Sequence, residues 1–137
     1  MQEIAKTLTY TLIVDPAKNR IYCTVTGNGF FWGSTFAQDW ERAAQLVTKG
    51  FTVVTDVSRI PQISREWVEL SGKIQRMLVN AGLAGTAEIL SERVAKQLGI
   101  HQINKITGNA CYAKEEIFTD RKIAEIWLDR TFRNAAT

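Results

Sequence analysis

Residues 8–26 read LTYTLIVDPAKNRIYCTVT, and this stretch decides the fold. Apolar side chains alternate with mostly polar ones on both sides of the run DPAKN, which is typical of two strands that each bury one face. Proline, aspartate and asparagine suit the backbone angles of turns, so this run favours a reversal of the chain. We therefore predict an antiparallel hairpin with strands over residues 8–15 and 20–26.

Threonine recurs on the second face of this hairpin, at Thr9, Thr11, Thr24 and Thr26. Strands that are covered by helices on both faces are apolar throughout rather than alternating. We therefore expect helices mainly on one face of the sheet, and we expect the Thr-rich face to lie in water or against a partner.

Helical and strand patterns alternate after the hairpin. In chain order they predict a helix from Ser34 to a stop at Gly50, a strand over 51–57, a helix over 64–81 that begins at the N-cap Ser64, a strand over 85–90 and a helix capped by Ser91. An apolar turn or short helix around Ile103, a short strand over 110–113, and a helix capped by Thr119 that buries Ile123, Ile126 and Trp127 follow. Successive β-α-β units require parallel strands joined by right-handed crossovers.

The predicted fold class is α/β, with a five-stranded mixed sheet in the order β-β-α-β-α-β-α-β-α. The antiparallel hairpin comes first and parallel strands follow it. We find no linker or repeat, so residues 1–137 are predicted to form a single domain with a frayed tail over 133–137.

Charge argues against a nucleic-acid partner. The chain carries 17 Lys and Arg against 14 Asp and Glu, for a net charge of +3, and basic side chains are spread evenly rather than gathered on one tail. Nucleic-acid binders concentrate their positive charge. No apolar stretch is long enough to span a bilayer and residues 1–6 lack a signal-peptide core, so we expect a cytoplasmic protein.

The chain has few side chains for catalysis or metal binding. It holds one histidine, His101, and two cysteines, Cys23 and Cys111, with no Cys-x-x-Cys or comparable spacing. We expect both cysteines to be reduced core thiols, and we predict no catalytic residue, no metal site and no cofactor.

The run GNGFFWG over residues 27–33 is the most unusual local feature. A glycine-rich turn between a strand and a helix suggests a phosphate loop, but three bulky aromatic residues stand where backbone would have to approach a phosphate. Two other interpretations of Phe30, Phe31 and Trp32 stay open. They either pack against the start of the first helix, or cover a ligand, a partner or a membrane interface.

The chain resembles the SpoIIAA-like superfamily, which includes STAS domains and relatives of the CRAL-TRIO lipid-binding proteins. The resemblance rests on Gly27, on the segment FTVVTDVS over 51–58 and on the block FTDRKIAEIWL over 118–128. It covers about residues 8–132 and implies a single α/β binding or regulatory domain.

One departure from that family affects the expected function. Phosphorylated STAS antagonists carry an Asp-Ser-Ser/Thr-Gly motif at the start of the second helix, where this chain has Arg65 at the acceptor position and Ser64 in place of the aspartate. The phosphorylation switch is therefore not carried over, and Ser64 is expected to cap the helix. Asp56 and Asp120 are likewise expected to cap a helix or to stabilise a loop.

These observations favour a non-enzymatic domain that binds an apolar or amphipathic, lipid-like molecule or a protein partner near the starts of the first two helices. The predicted contact residues are Phe30, Phe31, Trp32, Asp56, Ser58, Arg59, Ser64 and Arg65. A homodimer and peripheral membrane contact are further expectations. The alternative function is an anti-sigma-factor-antagonist-like switch that is phosphorylated on Ser58 or Ser64.

Overall fold

The computed structural model describes residues 1–26, 33–60, 64–98 and 114–132. Within them the elements are β1 (Gln2–Lys6), β2 (Tyr10–Asp15), β3 (Arg20–Val25), α1 (Gly33–Ala44), β4 (Thr52–Asp56), α2 (Arg65–Asn80), β5 (Gly85–Ile89), α3 (Glu92–Leu98), β6 (Lys114–Phe118) and α4 (Arg121–Thr131). The α/β class is therefore confirmed.

The strands form one mixed sheet in sequential order from β1 to β6. The predicted hairpin is present, with Tyr10 opposite Val25 and Asp15 opposite Arg20. Strands β3 to β6 are parallel to one another. The turn between β2 and β3 is stabilised by the Asp15 carboxylate, which accepts a hydrogen bond from the backbone N–H of Ala17 at 3.0 Å.

The prediction of five strands is wrong, because the sheet has six. β1 is an edge strand whose residues are exposed or half-buried, so its sequence lacks the alternation that marks a strand with one buried face. β6, with the sequence KEEIF, lies at the other edge and has only Ile117 buried. The strand predicted over 110–113, the short helix around Ile103 and the tail over 133–137 lie outside the described residues.

Helices α1, α2 and α3 contribute to one hydrophobic cluster on a single face of the sheet, whereas α4 packs on the opposite face. Right-handed crossovers between strands that follow one another in the same direction place every connecting helix on the same side. The prediction of helices mainly on one face is thus confirmed. The Thr-rich face is covered in part, because α4 packs there against Tyr22, Val54 and Ala87.

Two expectations for α4 are wrong. Its N-cap is Asp120 rather than Thr119, because the Asp120 carboxylate accepts the backbone N–H groups of Lys122 and Ile123. Ala124 and Leu128 form its buried face, which leaves the side chains of Ile123 and Ile126 56% and 49% exposed. Apolar residues occur on both sides of this helix, so the period alone did not identify the face that contacts the sheet.

Candidate ligand-binding cavity

A cavity of about 40 Å³, partly open to solvent, lies between helices α1 and α2 and strands β4, β5 and β6. Its aromatic wall comes from Phe36, Trp40 and Trp67, and its remaining lining residues are Val53, Thr55, Ser71, Ile74, Gln75, Leu78, Thr86, Glu88 and Glu115. Phe36 and Trp67 lie in the first turns of α1 and α2, so the cavity is close to the helix starts where the sequence predicts binding.

The three aromatic rings contact one another across the two helices. Phe36 and Trp40 are four residues apart and therefore share a face of α1, with ring centroids 6.2 Å apart. Trp67 approaches Phe36 from α2 at 6.1 Å. All three side chains are buried, so the helix side of the cavity is an apolar wall.

Local hydrogen bonds fix where Trp67 lies. The hydroxyl of Ser64 accepts a hydrogen bond from the backbone N–H of Trp67 at 3.1 Å, which makes Ser64 the N-cap of α2 as predicted. Because α2 begins at this cap, Trp67 lies in its first turn and faces the sheet.

Helix α1 is anchored to the sheet by buried polar contacts. The Tyr10 hydroxyl on β2 donates to the buried carboxylate of Asp39. Arg42 lies 3.0 Å from the same carboxylate and also donates to the Ile4 carbonyl oxygen at 2.7 Å. Burial, together with Asp39, raises the pKa of Tyr10 well above its usual range. These contacts position α1, and with it Phe36 and Trp40.

Two carboxyl groups lie on the sheet side of the cavity. Thr86 pairs with Glu115 and Glu88 pairs with Ile117 in the parallel ladder between β5 and β6. Alternation along each strand directs Thr86, Glu88 and Glu115 to the same face of the sheet, towards α1 and α2. Glu88 and Glu115 are therefore diagonal neighbours on adjacent strands.

Glu88 titrates unusually for a glutamate. Burial, and secondly the nearby Glu115 carboxyl, raise its pKa to about 8, while a hydrogen bond from the Trp67 side chain favours the ionised form and lowers the pKa. Glu88 is therefore largely protonated at neutral pH. A protonated carboxyl can donate one hydrogen bond and accept others.

Trp40 adds an unsatisfied donor to the cavity wall. Its side chain is 2% exposed, and its indole Nε1–H has no hydrogen-bond partner among the described residues. Buried donors in native proteins almost always have a partner. The lining therefore combines an apolar aromatic wall with a pair of carboxyls, and the Trp40 N–H is buried behind it.

The predicted contact residues that the structure describes do not line this cavity. Phe30, Phe31 and Trp32 lie outside the described residues. The side chain of Asp56 points to the α4 face, where Arg121 lies 3.7 Å away. Its other oxygen accepts hydrogen bonds from the Ser58 hydroxyl at 2.6 Å and the Ser58 backbone N–H at 3.0 Å, so Asp56 stabilises the loop after β4.

The other predicted residues surround the start of α2. Arg59 is exposed, and Arg65, with its side chain 90% exposed, pairs with Glu69 at 3.3 Å. Among the predicted contact residues within the described ranges, Ser64 alone bonds to a residue of the lining, through the backbone N–H of Trp67.

Sequence reasoning missed Glu88 and Glu115 as functional residues. A signal for Glu88 was available. Glu88 lies inside the predicted strand over 85–90. Because side chains alternate along a strand, Glu88 points away from the face that holds Ala87 and Ile89 and towards the helices. A carboxyl in such a position requires a partner or a raised pKa.

A second polar cluster, on the opposite face, joins α4 to the sheet. Arg20, 3% exposed, donates to the Thr52 hydroxyl at 2.8 Å and lies 2.9 Å from Asp129 and 3.4 Å from Glu125. The Tyr22 hydroxyl donates to Glu125 at 2.5 Å. Burial and this bond raise the pKa of Tyr22 to about 12. Because these groups satisfy one another, the cluster serves to hold α4 in place.

Comparisons with models of known protein families, with curated proteins and with solved structures returned no match. Within the described ranges no helix has both the length and the apolar character needed to cross a membrane. Those same ranges contain no cluster of three His, Cys, Asp or Glu side chains arranged to hold a metal ion.

Proposed function

We propose that this chain is a non-enzymatic binding domain of the SpoIIAA-like type, which holds a small amphipathic molecule in the cavity between α1, α2 and the sheet. The observation that carries the proposal is the lining itself. Phe36, Trp40 and Trp67 offer apolar surface, and Glu88 with Glu115 offers polar groups on the opposite wall. Ligand sites commonly combine an apolar lining with a few converging polar groups.

Part of the cavity lies where this function would place a ligand. Ligands of open α/β sheets bind near the carboxyl ends of the parallel strands, where Thr55 and Glu88 lie. The rest of the lining, from Val53, Thr86 and Glu115, lies near the starts of β4, β5 and β6. The cavity is partly open, so a guest can enter without unfolding of the core.

Phosphorylation receives less support from the geometry. Ser64 uses its hydroxyl as the N-cap of α2, and Ser58 donates its hydroxyl to Asp56. Both groups have structural roles, so ligand binding is the function we propose. Homodimer formation, membrane contact and a cytoplasmic location stay predictions from the sequence.

The test uses small probes and the tryptophan indole resonances. The chain has four tryptophans, and Trp127 contacts Phe118 and Phe132 on the α4 face. We expect at least one of 1-propanol, 2-aminoethanol and propanoate to shift the indole N–H resonances of Trp40 and Trp67 in a saturable way. The Trp127 resonance should not move.

Two variants on α2 provide a matched control. Ser71→Leu places a larger side chain in the lining and is expected to abolish the saturable shifts, whereas Lys73→Leu lies on the exposed face and should leave them unchanged. The proposed function is wrong if none of the three probes gives a saturable shift at Trp40 and Trp67. It is equally wrong if Ser71→Leu binds the probes as well as the wild type.

A further inference from the structure

The side of helix α4 that faces away from the sheet carries apolar residues that the fold does not bury. Helix α4 packs on the sheet through Ala124 and Leu128. The side chains of Ile123 and Ile126 are 56% and 49% exposed. They are three residues apart and are therefore neighbours on one side of the helix. Adjacent apolar side chains in contact with water mark this side of α4 as a candidate interaction surface.

Two basic residues flank the isoleucines. Lys122 lies four residues before Ile126 and Arg130 lies four residues after it, so both share its side of the helix. Both basic residues are exposed. We call Lys122, Ile123, Ile126 and Arg130 the outer face of α4. This face combines apolar surface with positive charge.

The acidic residues of α4 do not cancel this positive charge, because they pair with the sheet. Arg20 lies 3.4 Å from Glu125 and 2.9 Å from Asp129. Lys18 lies 3.5 Å from Asp129 on the same side of the helix. The carboxylate of Asp120, just before α4, accepts backbone N–H groups of the first turn. The outer face of α4 therefore keeps its positive charge.

The flank of the outer face towards β6 is aromatic. Trp127 is half-buried, follows Ile123 by four residues and lies 5.5 Å from the ring of Phe118. The Lys114 ammonium lies 6.0 Å from the centroid of the Trp127 ring, and the exposed Glu116 is on the same strand as Lys114. Tryptophan with lysine or arginine nearby is typical of protein surfaces at the boundary between a membrane and water.

We propose that the outer face of α4 binds the surface of an anionic lipid bilayer. Helix α4 lies parallel to the membrane plane, with Ile123 and Ile126 among the headgroups and with Lys122 and Arg130 beside the lipid phosphates. A second copy of this chain fits less well, because two outer faces in contact would bring like charges together. The inference does not depend on the cavity. It gives the membrane contact expected from the sequence a surface other than residues 30–32.

The experiment is cosedimentation of the full chain with sucrose-loaded vesicles. One set of vesicles contains phosphatidylcholine and phosphatidylserine in equal amounts, and the other contains phosphatidylcholine alone. We expect saturable binding to the mixed vesicles at low salt and much weaker binding to phosphatidylcholine. Binding to the mixed vesicles should weaken at about 0.5 M salt, because salt screens the attraction between exposed cations and the lipid phosphates.

Charge-neutral variants test the basic residues. Lys122→Gln/Arg130→Gln should raise the apparent Kd for the mixed vesicles about tenfold or more, since each basic residue at an anionic surface contributes about fivefold in affinity. Lys73→Gln/Arg76→Gln is the matched control. It removes two exposed basic residues from α2, lowers the net charge by the same amount and should leave binding nearly unchanged.

A second pair of variants tests the apolar contact. Ile123→Ser/Ile126→Ser should also weaken binding to the mixed vesicles about tenfold or more, because the half-exposed isoleucines no longer gain from leaving water. Leu46→Ser removes an exposed apolar side chain from another part of the surface and should bind like the wild type. Folding of each variant is checked from its amide spectrum before sedimentation.

Three outcomes would overturn the proposal. The first is absence of binding to the mixed vesicles at low salt. The second is binding that neither α4 double variant weakens, or that is equally strong on phosphatidylcholine alone. The third is self-association of the wild type that Ile123→Ser/Ile126→Ser abolishes, without any vesicle binding, which would assign the outer face of α4 to a second copy of the chain. Each outcome leaves ligand binding in the cavity unaffected.

Discussion

The chemistry of Glu88 depends strongly on its surroundings. It lies on β5 between the buried residues Ala87 and Ile89, and its side chain faces α1 and α2. Burial raises its pKa to about 8, from an ordinary value of 4.5. A group that holds a proton in the folded state but not in the unfolded state makes stability depend on pH.

We predict that Glu88→Gln removes a loss of stability that the wild type shows as the pH rises from 4.5 to about 8. Between pH 4.5 and about 8 the folded protein keeps a proton on Glu88 that the unfolded chain has released. Stability therefore falls as the pH rises through this range. The wild type should lose a few kcal/mol, since each tenfold change in proton affinity is worth about 1.4 kcal/mol.

Urea denaturation at about pH 5 and about pH 8.5 measures this effect. Glu88→Gln should show a clearly smaller loss of stability than the wild type between the two values. Glu116→Gln, which changes an exposed carboxyl on β6, should behave like the wild type. Equal losses in the wild type and Glu88→Gln would show that Glu88 ionises normally in the folded protein.

Capping residues were the most predictable single positions. Ser64 was predicted as the N-cap of α2 and is confirmed. Asp120 was expected to cap a helix or to stabilise a loop, and it caps α4 in place of Thr119. A cap depends on a side chain and on backbone N–H groups two or three residues later, so the whole interaction is local. Glu88 was missed as a site residue because its properties come from Trp67 and Glu115, which are distant in sequence.

At the scale of elements, two of the contacts between α4 and the sheet lie near the middle of the helix and at its end. Near its middle, Arg20 and Tyr22 contact Glu125, and at its end Phe132 packs over Gly85 on β5. A Cβ atom at Gly85 would overlap the Phe132 ring, so the glycine is required for this close approach.

We predict that Gly85→Ala destabilises the protein by about 1–3 kcal/mol, because the added methyl group displaces the Phe132 ring. Gly72→Ala is the contrasting substitution. Gly72 lies within α2, and a Cβ there would meet only the Arg76 side chain at 3.6 Å. It should stabilise the protein by about 0.5–1 kcal/mol, because glycine costs conformational entropy inside a helix.

Chemical denaturation of both variants and of Phe132→Ala tests this packing. The double variant Gly85→Ala/Phe132→Ala should lose less stability than the sum of the two single variants, since removal of the ring also removes the overlap. If the two losses of stability are additive, the destabilisation by Gly85→Ala does not come from overlap with the Phe132 ring.

Prediction of the elements succeeded where the periodic pattern was strong. Helix α2 was expected over residues 64–81 and runs from Arg65 to Asn80. Strands β1 and β6 were missed because edge strands bury little and need no alternation of apolar residues. In α4 the face predicted to be buried was wrong. A helix with apolar residues on two sides is oriented by the surface against which it packs, and that surface is not visible in the sequence of the helix.

At the scale of the whole molecule, Cys23 is buried within the six-stranded sheet, on a strand that has a neighbouring strand on each side. Cys23 lies on β3, is 1% exposed, and pairs with Leu12 on β2 and Thr55 on β4. Burial, and secondly Asp56, raise the pKa of its thiol well above the usual range. A thiol in this state reacts only when the sheet opens.

We predict that labelling of Cys23 reports unfolding of the entire domain. Because Cys111 is a second thiol that would also react, the measurement uses a Cys111→Ser variant with Ellman's reagent. The labelling rate under native conditions should be far below that of the unfolded chain and should rise with urea in parallel with global unfolding. Full labelling of the native variant at the rate of a free thiol would show that β3 is accessible without unfolding.

The sequence alone determined the α/β class, the hairpin and the alternation that makes the later strands parallel, because these depend on the period of apolar residues and on local turns. Tertiary structure decided the cavity. Phe36, Trp67, Glu88 and Glu115 belong to four different elements, and they meet only because the register of β5 on β6 and the packing of α1 against α2 bring them together. Neither this strand register nor this helix packing can be predicted from the periodic pattern of a single segment, so the site forms only when the elements pack together.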